Sequence, residues 1–555
     1  MTARGKFVLA VLILAIAGLG AYKWWDRLKP GAAPVAMAGG ESKAPAAARA
    51  APLNPADFVE PLTACPLLPP AGTYVPKDNI IDIELSEYAG YSGLIVANGG
   101  LEPSENSFFF RQHGFKVRIK LSEEESWPAL NTGRMAASAT TVDVLTAHCR
   151  NFQVTAPVQI GFSRGADGLV VRKEIRRIND LKGRTLVTSQ FTEADFFIRY
   201  LTQEAGLGVN LLATPTDRPA PDKVNLLFAT DAFVAGDLFL KELQSGGQRL
   251  AGCVTWAPKT DEVVEESKGA ATLLTTNKNL LIVADILVVN KGFAQANPKM
   301  VAGLVEGVLE GNRQVRDNPA AHLDTIARAF KWDRAKAQAE LAKVHLSNLP
   351  ENLAFYSGAI DAAGSFAGIY SAATLVYGAL IDQPVDADRY MDASYLNALK
   401  AAGAFAGQQI AIAPIRSTAG GALEGDPLLT KDIRFLFEPN SDKLDLTHQA
   451  NLSALDSIKR LLQVSPGSTI LLRGHVDNAL VDKFRQQGGD AFVRQMALQA
   501  MDLSKRRANE IRRVLVERLT VPAARLETVG RGWEEPLGAD AEQNRRVEVQ
   551  WFTVE

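Results

Sequence analysis

The sequence predicts an α/β protein, because strand-like and helix-like segments alternate from about residue 60 to about residue 404. Apolar and polar residues alternate at 80–85 and 116–120, as expected of strands with one buried face. The apolar run 284–289 indicates a buried strand, and residues 300–316 then place apolar side chains at helical spacing. Repeated strand–helix order of this kind favours mixed sheets covered by helices.

Two stretches rich in small residues divide the chain. Residues 28–59 are rich in Ala, Pro and Gly, which predicts a flexible linker. Residues 405–429 predict a second linker, followed by a strand at 433–437 and a helix at 451–462. The expected order is therefore an anchor at 1–27, a linker at 28–59, a large α/β domain at 60–404, a linker at 405–429 and a smaller α+β domain at 430–555.

The N-terminal apolar run at 7–21 predicts a membrane-spanning helix. Arg4 and Lys6 precede the run and aromatic residues follow it, so the stretch is just long enough to cross a hydrocarbon core of ~30 Å. A cleaved signal peptide is the competing interpretation, since small residues stand at 36–38. We expect an uncleaved anchor, because the residues directly after the run are bulky and basic. The run contains no Asp or Glu, which argues against a stator-type proton channel.

Composition excludes several functional classes. The net charge of −2 gives no sign of nucleic-acid binding. The three cysteines (Cys65, Cys149 and Cys253) match no zinc spacing, and no metal or cofactor is expected. A Cys149–Cys253 disulfide remains open. Cys65 ends a lipoprotein-like box, but the box lies some forty residues beyond the apolar run and is interpreted as chance.

Three motifs near the C-terminus follow one another in a fixed order. They are Gly-His-Val-Asp at 474–477, Leu-Ser-Lys-Arg-Arg-Ala at 503–508 and Asn-Arg-Arg-Val-Glu at 544–548. In this order they resemble the OmpA-like peptidoglycan-binding domain. The resemblance implies that Asp477 and Arg507 bind the ammonium and carboxylate at the free end of a diaminopimelate stem. An Arg suits that carboxylate because its planar fork can bind in a bidentate manner.

The same resemblance brings Asn478, Leu503 and Arg546 into the site. The alternative for the central pair is an internal Asp477–Arg507 salt bridge without a ligand. The segment between the two motifs is longer than the family pattern, and residues 480–499 predict a helical excursion broken at Gly-Gly 488–489. Such an excursion can reshape the rim of the site. No chemistry is assigned to His475.

Motifs in the large domain resemble type II periplasmic solute-binding proteins of the nitrate, sulfonate and thiamine-precursor group. They stand at 91–100, 129–138, 178–185, 252–258 and 289–293. The resemblance implies two lobes that close over a small molecule at a hinge, with ligand contacts at strand ends. We expect an anionic or zwitterionic solute. The candidate contacts are polar or aromatic residues at these turns: Tyr88, Tyr91, Ser92, Ser138, Thr140, Thr141, Ser189, Thr192, Thr255 and Trp256. For each Ser or Thr the alternative is helix capping, and for Trp256 it is a place in the core.

Together these features predict a non-enzymatic envelope protein. It would be a single-pass inner-membrane protein whose periplasmic domains hold peptidoglycan and a small solute, with an ABC transporter permease or an envelope receptor as partner. A structural tether, whose middle domain is a spacer or docking module, is the alternative. An enzyme is disfavoured because the sequence shows no acid–base pair or nucleophile with suitable spacing.

Overall fold

The computed structural model describes residues 53–122, 126–359, 364–381, 384–412, 427–438 and 441–553. The predicted membrane anchor therefore lies outside the described residues. Within these ranges, no helix combines the length and the apolar character that a membrane crossing requires.

Sixteen strands are numbered in chain order within the described residues. They are β1 Ile80–Leu85, β2 Lys116–Leu121, β3 Ala137–Thr141, β4 Val154–Ser163, β5 Asp167–Arg172, β6 Thr185–Thr188, β7 Gly208–Leu211, β8 Lys223–Phe228, β9 Gly252–Trp256, β10 Ala271–Thr276, β11 Ala284–Asn290, β12 Val344–Leu346, β13 Leu429–Ile433, β14 Thr469–Gly474, β15 Leu526–Gly530 and β16 Val547–Phe552.

The α-helices of the described residues are numbered in the same way. They are α1 Ser92–Asn98, α2 Phe108–His113, α3 Trp127–Asn131, α4 Val142–His148, α5 Glu193–Glu204, α6 Ala232–Gln244, α7 Lys259–Glu266, α8 Lys291–Ala296, α9 Pro298–Asp317, α10 Pro319–Phe330, α11 Arg334–Leu341, α12 Leu349–Ser357, α13 Phe366–Tyr377, α14 Ser394–Ala401, α15 Gln449–Val464, α16 Val481–Glu517 and α17 Ala541–Asn544.

Lobe one is built on a six-stranded mixed sheet in the order β12-β4-β11-β3-β1-β2. Strand β1 runs parallel to β2 and β3, whereas β11 runs antiparallel to β3 and β4. The predicted buried face of β1 is confirmed, since Ile81, Ile83 and Leu85 are fully buried, whereas Glu84 on the other face is buried as well. All seven residues of β11 are buried, as expected of a strand covered on both faces.

Lobe two repeats this layout with a sheet in the order β10-β5-β9-β6-β8-β7. Its parallel part is β9-β6-β8-β7, and β5 is antiparallel to both β9 and β10. Helix α5 covers this sheet with an almost wholly buried surface. The α/β class with mixed sheets predicted for 60–404 is thus confirmed by the topology.

Two short connections join the lobes, one from β4 to β5 and one from β10 to β11. The side chain of Asn277 ties them together. Its Oδ1 accepts a hydrogen bond from the Gly165 N–H at 2.8 Å, and its Nδ2 donates to Asp167 Oδ2 at 2.8 Å. Both connections therefore meet at one point between the two sheets, where a hinge is expected.

Parts of both predicted linkers are packed against the large domain. At the N-terminal end, the Val59 N–H donates to the Phe228 carbonyl at 2.8 Å, so 53–59 fold against lobe two. At the other end, the N–H groups of Ala411 and Ile412 each donate to buried Glu351 at 2.8 Å. These backbone hydrogen bonds to folded elements explain why the two ends are not free chain.

The cysteines correct one sequence interpretation. Cys65 is disulfide-bonded, whereas Cys253 is a free thiol buried in β9. A Cys149–Cys253 disulfide is therefore wrong. The disulfide at Cys65 also agrees with the interpretation that its lipoprotein-like box is a chance match. The sulfur of a lipidated cysteine is already bonded to the lipid and cannot form a disulfide.

The C-terminal domain is a four-stranded sheet in the order β13-β16-β14-β15, packed against α15 and α16. Its first strand begins at Leu429, four residues before the predicted strand at 433–437, because 429–433 pair in register with 547–551 of β16. The predicted first helix is confirmed as α15. The predicted break in the excursion is confirmed too, since Gly489 in α16 has φ 67° and ψ −165°, a conformation that is essentially restricted to glycine.

The C-terminal domain docks on lobe two through backbone and side-chain contacts. The Asn179 side chain accepts from the Thr430 N–H at 2.8 Å and donates to the Thr430 carbonyl at 2.9 Å. The Ile178 N–H donates to Leu428 at 2.9 Å, and the Leu281 N–H donates to Val464 at 2.7 Å. The start of β13 and the residue before it are thus hydrogen-bonded to residues 178–179 of lobe two, and the end of α15 to the β10–β11 connection.

Candidate functional site

A cavity of about 210 Å³ opens on the C-terminal domain. It lies where the end of β14, the start of β16 and helix α16 converge. Guanidinium groups dominate its lining, which consists of Arg434, Phe435, Leu436, Phe437, Gly474, His475, Arg507, Glu542, Arg545, Arg546 and Val547.

The first two sequence motifs build this cavity through one close contact. A Cβ atom at Gly474 would lie 2.1 Å from the Ser504 carbonyl oxygen, so only glycine lets α16 approach the end of β14. The Ser504 hydroxyl in turn accepts a hydrogen bond from the Gly532 N–H at 3.0 Å. This packing fixes the helix turn from which Arg507 reaches the cavity.

Arg507 is held by packing rather than by an ion pair. Its guanidinium lies over the Phe437 ring, 4.8 Å from the ring centre, and its Nε is buried without a hydrogen-bond partner. Among the described residues, no carboxylate oxygen lies within 4.0 Å of this guanidinium. Burial lowers the pKa of Arg507, while Asp442 and Asp477 act in the opposite direction. A guanidinium in this state can accept a carboxylate ligand.

Asp477 lies close to the cavity but not in its lining. It follows β14 by three residues, and its Oδ1 accepts a hydrogen bond from the Ala479 N–H at 3.1 Å. Its Oδ2 lies 3.8 Å from Arg545 Nε. The structure therefore shows no internal Asp477–Arg507 salt bridge and leaves the Asp477 carboxylate partly exposed at the rim.

The other predicted wall-site residues differ in their surroundings. Asn478 is exposed, and Leu503 is half-buried on α16. Arg546 lines the cavity but is already engaged, since its Nε donates to Asp432 at 2.8 Å. Sequence reasoning missed Arg434 and Arg545, which pair with Glu542 beside the cavity. Arg545 belongs to the third motif, so the motif could have identified it as a residue of the site.

A cluster of one buried histidine and two glutamates lies next to this cavity. Ligand atoms of His475, Glu535 and Glu548 lie within 4.8 Å of one another. Arg473 pairs with Glu535 at 2.9 Å and with Glu548 at 2.7 Å. The guanidinium already neutralises the cluster, so the arrangement is explained by ion pairing.

A second cavity lies between the lobes, beside the two interlobe connections. It encloses about 10 Å³, which is room for roughly one water molecule. Both lobes contribute to its lining of Ser86, Tyr88, Tyr91, Thr141, Ser163, Asp167, Glu193, Trp256, Val283 and Asp285.

Carboxylates face one another across this interlobe cavity. Asp285 of β11 receives the hydroxyls of Tyr88 and Tyr91 at 3.3 and 3.5 Å, and burial followed by the charge of Asp167 raises its pKa. Burial also raises the pKa of Asp167 to about 6. Nearby Asp143 is fully buried, and burial raises its pKa to about 7. Of the residues that line the cavity, none is Lys or Arg, which opposes the expectation of an anionic solute.

One buried polar atom at the cavity, Trp256 Nε1, has no hydrogen-bond partner among the described residues, and its side chain is more than nine-tenths buried. Buried polar groups are normally hydrogen-bonded, so this indole N–H is available to an acceptor on a ligand. The hydroxyls of Thr141 and Ser163 interact with the buried carboxyls of Asp143 and Asp167 respectively.

The structure brings together four of the predicted solute contacts and leaves the others elsewhere. Tyr88, Tyr91, Thr141 and Trp256 line the cavity. The remaining candidates are buried or half-buried outside this lining: Ser92, Ser138, Thr140, Ser189, Thr192 and Thr255. Thr192 precedes α5 but makes no side-chain cap, because its hydroxyl donates to the Ser189 carbonyl at 2.8 Å.

Sequence reasoning missed the carboxylates, which are the chemical centre of this cavity. A signal existed, because Asp285 interrupts the apolar run 284–289 that predicts a fully buried strand. A charge in such a strand is rarely buried without a partner or a function.

A family model agrees with the C-terminal resemblance. A model of the OmpA family matches residues 436–550. The C-terminal region is an OmpA domain. A search of curated proteins by sequence returned no match.

Solved structures similar to this chain include three sulfonate-binding proteins. The alkanesulfonate-binding protein SsuA from Xanthomonas axonopodis pv. citri, bound to MOPS, is 14% identical with a TM-score of 0.43, covering 57% of this chain and 100% of that one. The periplasmic aliphatic sulphonate binding protein SsuA from Escherichia coli is 15% identical with a TM-score of 0.42, covering 57% and 97%. A putative periplasmic sulfonate-binding SsuA from Methylobacillus flagellatus KT is 15% identical with a TM-score of 0.41, covering 59% and 96%.

Proposed function

We propose that this protein holds a solute-binding module on peptidoglycan in the periplasm. The OmpA domain would bind the wall, and the two-lobed middle domain would capture a small solute between its lobes. The N-terminal segment would anchor the chain in the inner membrane, so that the solute is delivered to a transporter permease or its presence is reported to an envelope receptor. The role is a binding role, without catalysis.

The observation that carries wall binding is the state of Arg507. Arg507 is half-buried at the wall of a 210 Å³ cavity, its Nε is buried without a hydrogen-bond partner, and no carboxylate of the described residues lies within 4.0 Å of it, so an anionic ligand would complete its hydrogen bonding. The rim carboxylate of Asp477 offers the opposite charge a short distance away. A stem peptide that ends in diaminopimelate presents an ammonium and a carboxylate together, and this pair of charges complements both residues.

The arrangement of the two lobes supports the solute-binding part. Each lobe has its own sheet, the connections between them are short, and polar side chains from both lobes line one cavity. Attachment of such a module to the wall would keep it near partners in the same layer and raise its effective concentration there.

Co-sedimentation with purified peptidoglycan tests wall binding in the full-length protein. Arg507→Ala and Asp477→Asn should each weaken binding by more than about tenfold, because truncating one side of a buried charge pair leaves the other unpaired. Arg513→Ala is the matched control, since Arg513 lies on the same helix and pairs with Glu510 and the exposed Glu517. Wild-type binding by both site variants, with unchanged circular dichroism, would refute the assigned site.

The structural tether remains the second candidate, and the size of the interlobe cavity favours it. About 10 Å³ is too little for a solute unless the lobes part. X-ray scattering on the full-length protein, with and without an extract of small molecules from its host, separates the two functions. A change in radius of gyration supports capture, whereas an unchanged curve together with no retained molecule in native mass spectrometry supports the tether.

A further inference from the structure

We propose that a cavity at the junction of the middle domain and the OmpA domain binds a small carboxylic acid with an apolar body. The cavity encloses about 210 Å³ and lies between helix α5 of lobe two, helix α13, and helix α15 of the OmpA domain. It shares no lining residue with the wall site or with the interlobe cavity, so the inference goes beyond the proposed function and does not depend on it. An engineered apolar cavity of about 150 Å³ holds benzene, which indicates the size of molecule that fits here.

The apolar wall of this cavity comes mainly from one stripe of α13. Gly368, Ser371 and Ala372 stand on it at helical spacing, and Leu375 and Val376 continue it one turn later. The first three side chains are small, so they leave room between α13 and the two other helices. Leu375 is 59% exposed at the edge of this space. The apolar body of a ligand placed beside it would remove that surface from water.

The hydroxyl of Tyr200 is the polar group that points to a ligand. Tyr200 lines the cavity from α5 and is only 5% exposed, yet within the described part of the chain its hydroxyl makes no hydrogen bond. Burial raises the pKa of Tyr200, as does the charge of Glu204, while Arg460 acts in the opposite direction, so the hydroxyl lies near these two lining residues. Buried hydroxyls are normally hydrogen-bonded, and this one is available to an acceptor on a bound molecule.

Arg460 supplies the positive charge at the edge of the cavity. The other charged lining residue, Glu204, is already engaged with the OmpA domain, since its Oε2 accepts from the Ser457 hydroxyl at 3.4 Å and lies 4.0 Å from Lys431 Nζ. No carboxylate oxygen of the described residues lies within 4.0 Å of the exposed Arg460 guanidinium. A carboxylate on the ligand is the group that fits Arg460, because the planar fork of a guanidinium binds it in a bidentate manner.

The cavity joins two domains, and this gives binding a consequence. Arg460 and Val464 belong to the OmpA domain, whereas Tyr200 belongs to lobe two. The Val464 carbonyl accepts from the Leu281 N–H at 2.7 Å, so the cavity lies beside an existing docking contact. An acid bound here would contact both domains at once and would stabilise their docking.

Isothermal titration calorimetry on the full-length protein in lipid nanodiscs tests the proposal, because detergent would compete for an apolar cavity. The acid probes are benzoate and hexanoate, their uncharged counterparts are benzyl alcohol and hexanol, and acetate has the charge without the apolar body. Empty nanodiscs give the blank titration. At least one acid should bind with a Kd of about 1 mM or below, and its uncharged counterpart and acetate should bind at least about tenfold more weakly.

Two variants locate the binding. Arg460→Gln should weaken binding of the acid about tenfold, because the charge that receives the carboxylate is lost. Lys459→Gln is the matched control, since Lys459 precedes Arg460 on α15 but does not line the cavity, and it should bind like the wild type. Ala372→Phe should abolish binding, because the ring occupies the space beside α13. Circular dichroism like that of the wild type shows that each variant is folded.

Three results would overturn the inference. The first is that neither acid binds. The second is that the uncharged counterparts bind as tightly as the acids, or that Arg460→Gln binds like the wild type, since either removes the carboxylate from the ligand class. The third is acid binding that Arg507→Ala removes and Ala372→Phe leaves intact, because the acid then lies in the OmpA cavity. None of these results decides wall binding or solute capture, which co-sedimentation and X-ray scattering test separately.

Discussion

The cavity of the OmpA domain and the cavity between the lobes differ in charge and in size. The OmpA cavity is about 210 Å³ in volume and its lining includes four arginines, whereas the interlobe cavity is about 10 Å³ and its lining includes three carboxylates. Guanidinium groups stay charged at every physiological pH, while buried carboxyls titrate near neutrality. The difference predicts that ligand binding at the OmpA cavity is insensitive to pH near neutrality, whereas the charge of the interlobe cavity changes there.

The largest expected effect is the pH dependence of stability, because it should differ between the two regions. Burial raises the pKa of Asp143 to about 7 and that of Asp167 to about 6, so the folded middle domain binds protons that the unfolded chain has released. Its stability should therefore fall as the pH rises from about 4 to about 7, by about 1.4 kcal/mol per pH unit for each group. Buried His148, whose pKa is lowered by burial to about 4, acts in the opposite direction below about pH 6.5. The net fall between pH 5 and 8 should reach a few kcal/mol.

The OmpA domain supplies the internal comparison for that measurement. Burial raises the pKa of Glu548, but interactions with His475, Gln550 and Arg473 outweigh burial and lower this pKa to about 2. The stability from this group is complete above about pH 4.5 and is lost only as the pH falls towards 2. Hydrogen exchange followed by mass spectrometry at pH 5 and 8, corrected for intrinsic rates, should show lost protection in peptides of the lobes only. Asp143→Asn should reduce that loss, and equal loss in both regions would contradict the assignment.

The sequence predicted the elements of the fold well, because their signals are local. The alternation at 80–85 and the apolar spacing at 300–316 both correspond to observed elements, β1 and α9. The start of β13 was misplaced because 429–433 become a strand only through pairing with β16, a contact that no local pattern shows.

The sites were predicted less completely, and for a related reason. Motifs found Arg507 and Asp477, but not that Phe437 stacks on the guanidinium or that Arg545 lies beside the aspartate. In the middle domain, reasoning from turn residues found Tyr88 and missed the carboxylates. These carboxylates face one another only in the folded protein, because two connections that are far apart in the sequence bring the lobes together.

Arg507→Lys should have the next largest effect and would sharpen the comparison at the wall site. Lysine keeps the charge but loses the planar fork and most of the stacking on Phe437. We expect peptidoglycan affinity to fall about tenfold, less than for Arg507→Ala, since about 1.4 kcal/mol corresponds to that factor. Quantitative co-sedimentation measures it, with Arg513→Lys as the control. Undiminished binding by Arg507→Lys would mean that charge alone suffices and that the fork has no role.

Asn179→Ala should have the smallest effect, and it tests whether the two regions move as one body. Asn179 makes two hydrogen bonds to the Thr430 backbone, which fix the OmpA domain on lobe two. Their loss should weaken docking by about 1–3 kcal/mol, because buried backbone groups of β13 lose their partner. The matched control is Asn210→Ala, whose side chain bonds Asn225 inside lobe two at 2.9 Å.

Separate unfolding of the two regions is the outcome expected for Asn179→Ala. In the wild-type protein, docking should couple the urea unfolding of lobe two to that of the OmpA domain, whereas the variant should show two transitions and the control should keep one. With docking intact, closure of the lobes on a ligand would carry lobe two and the wall-bound domain together and would move lobe one against the wall. If Asn179→Ala unfolds like the wild type, the contacts of Ile178 and Leu281 are sufficient for docking, and the coupling must be sought there.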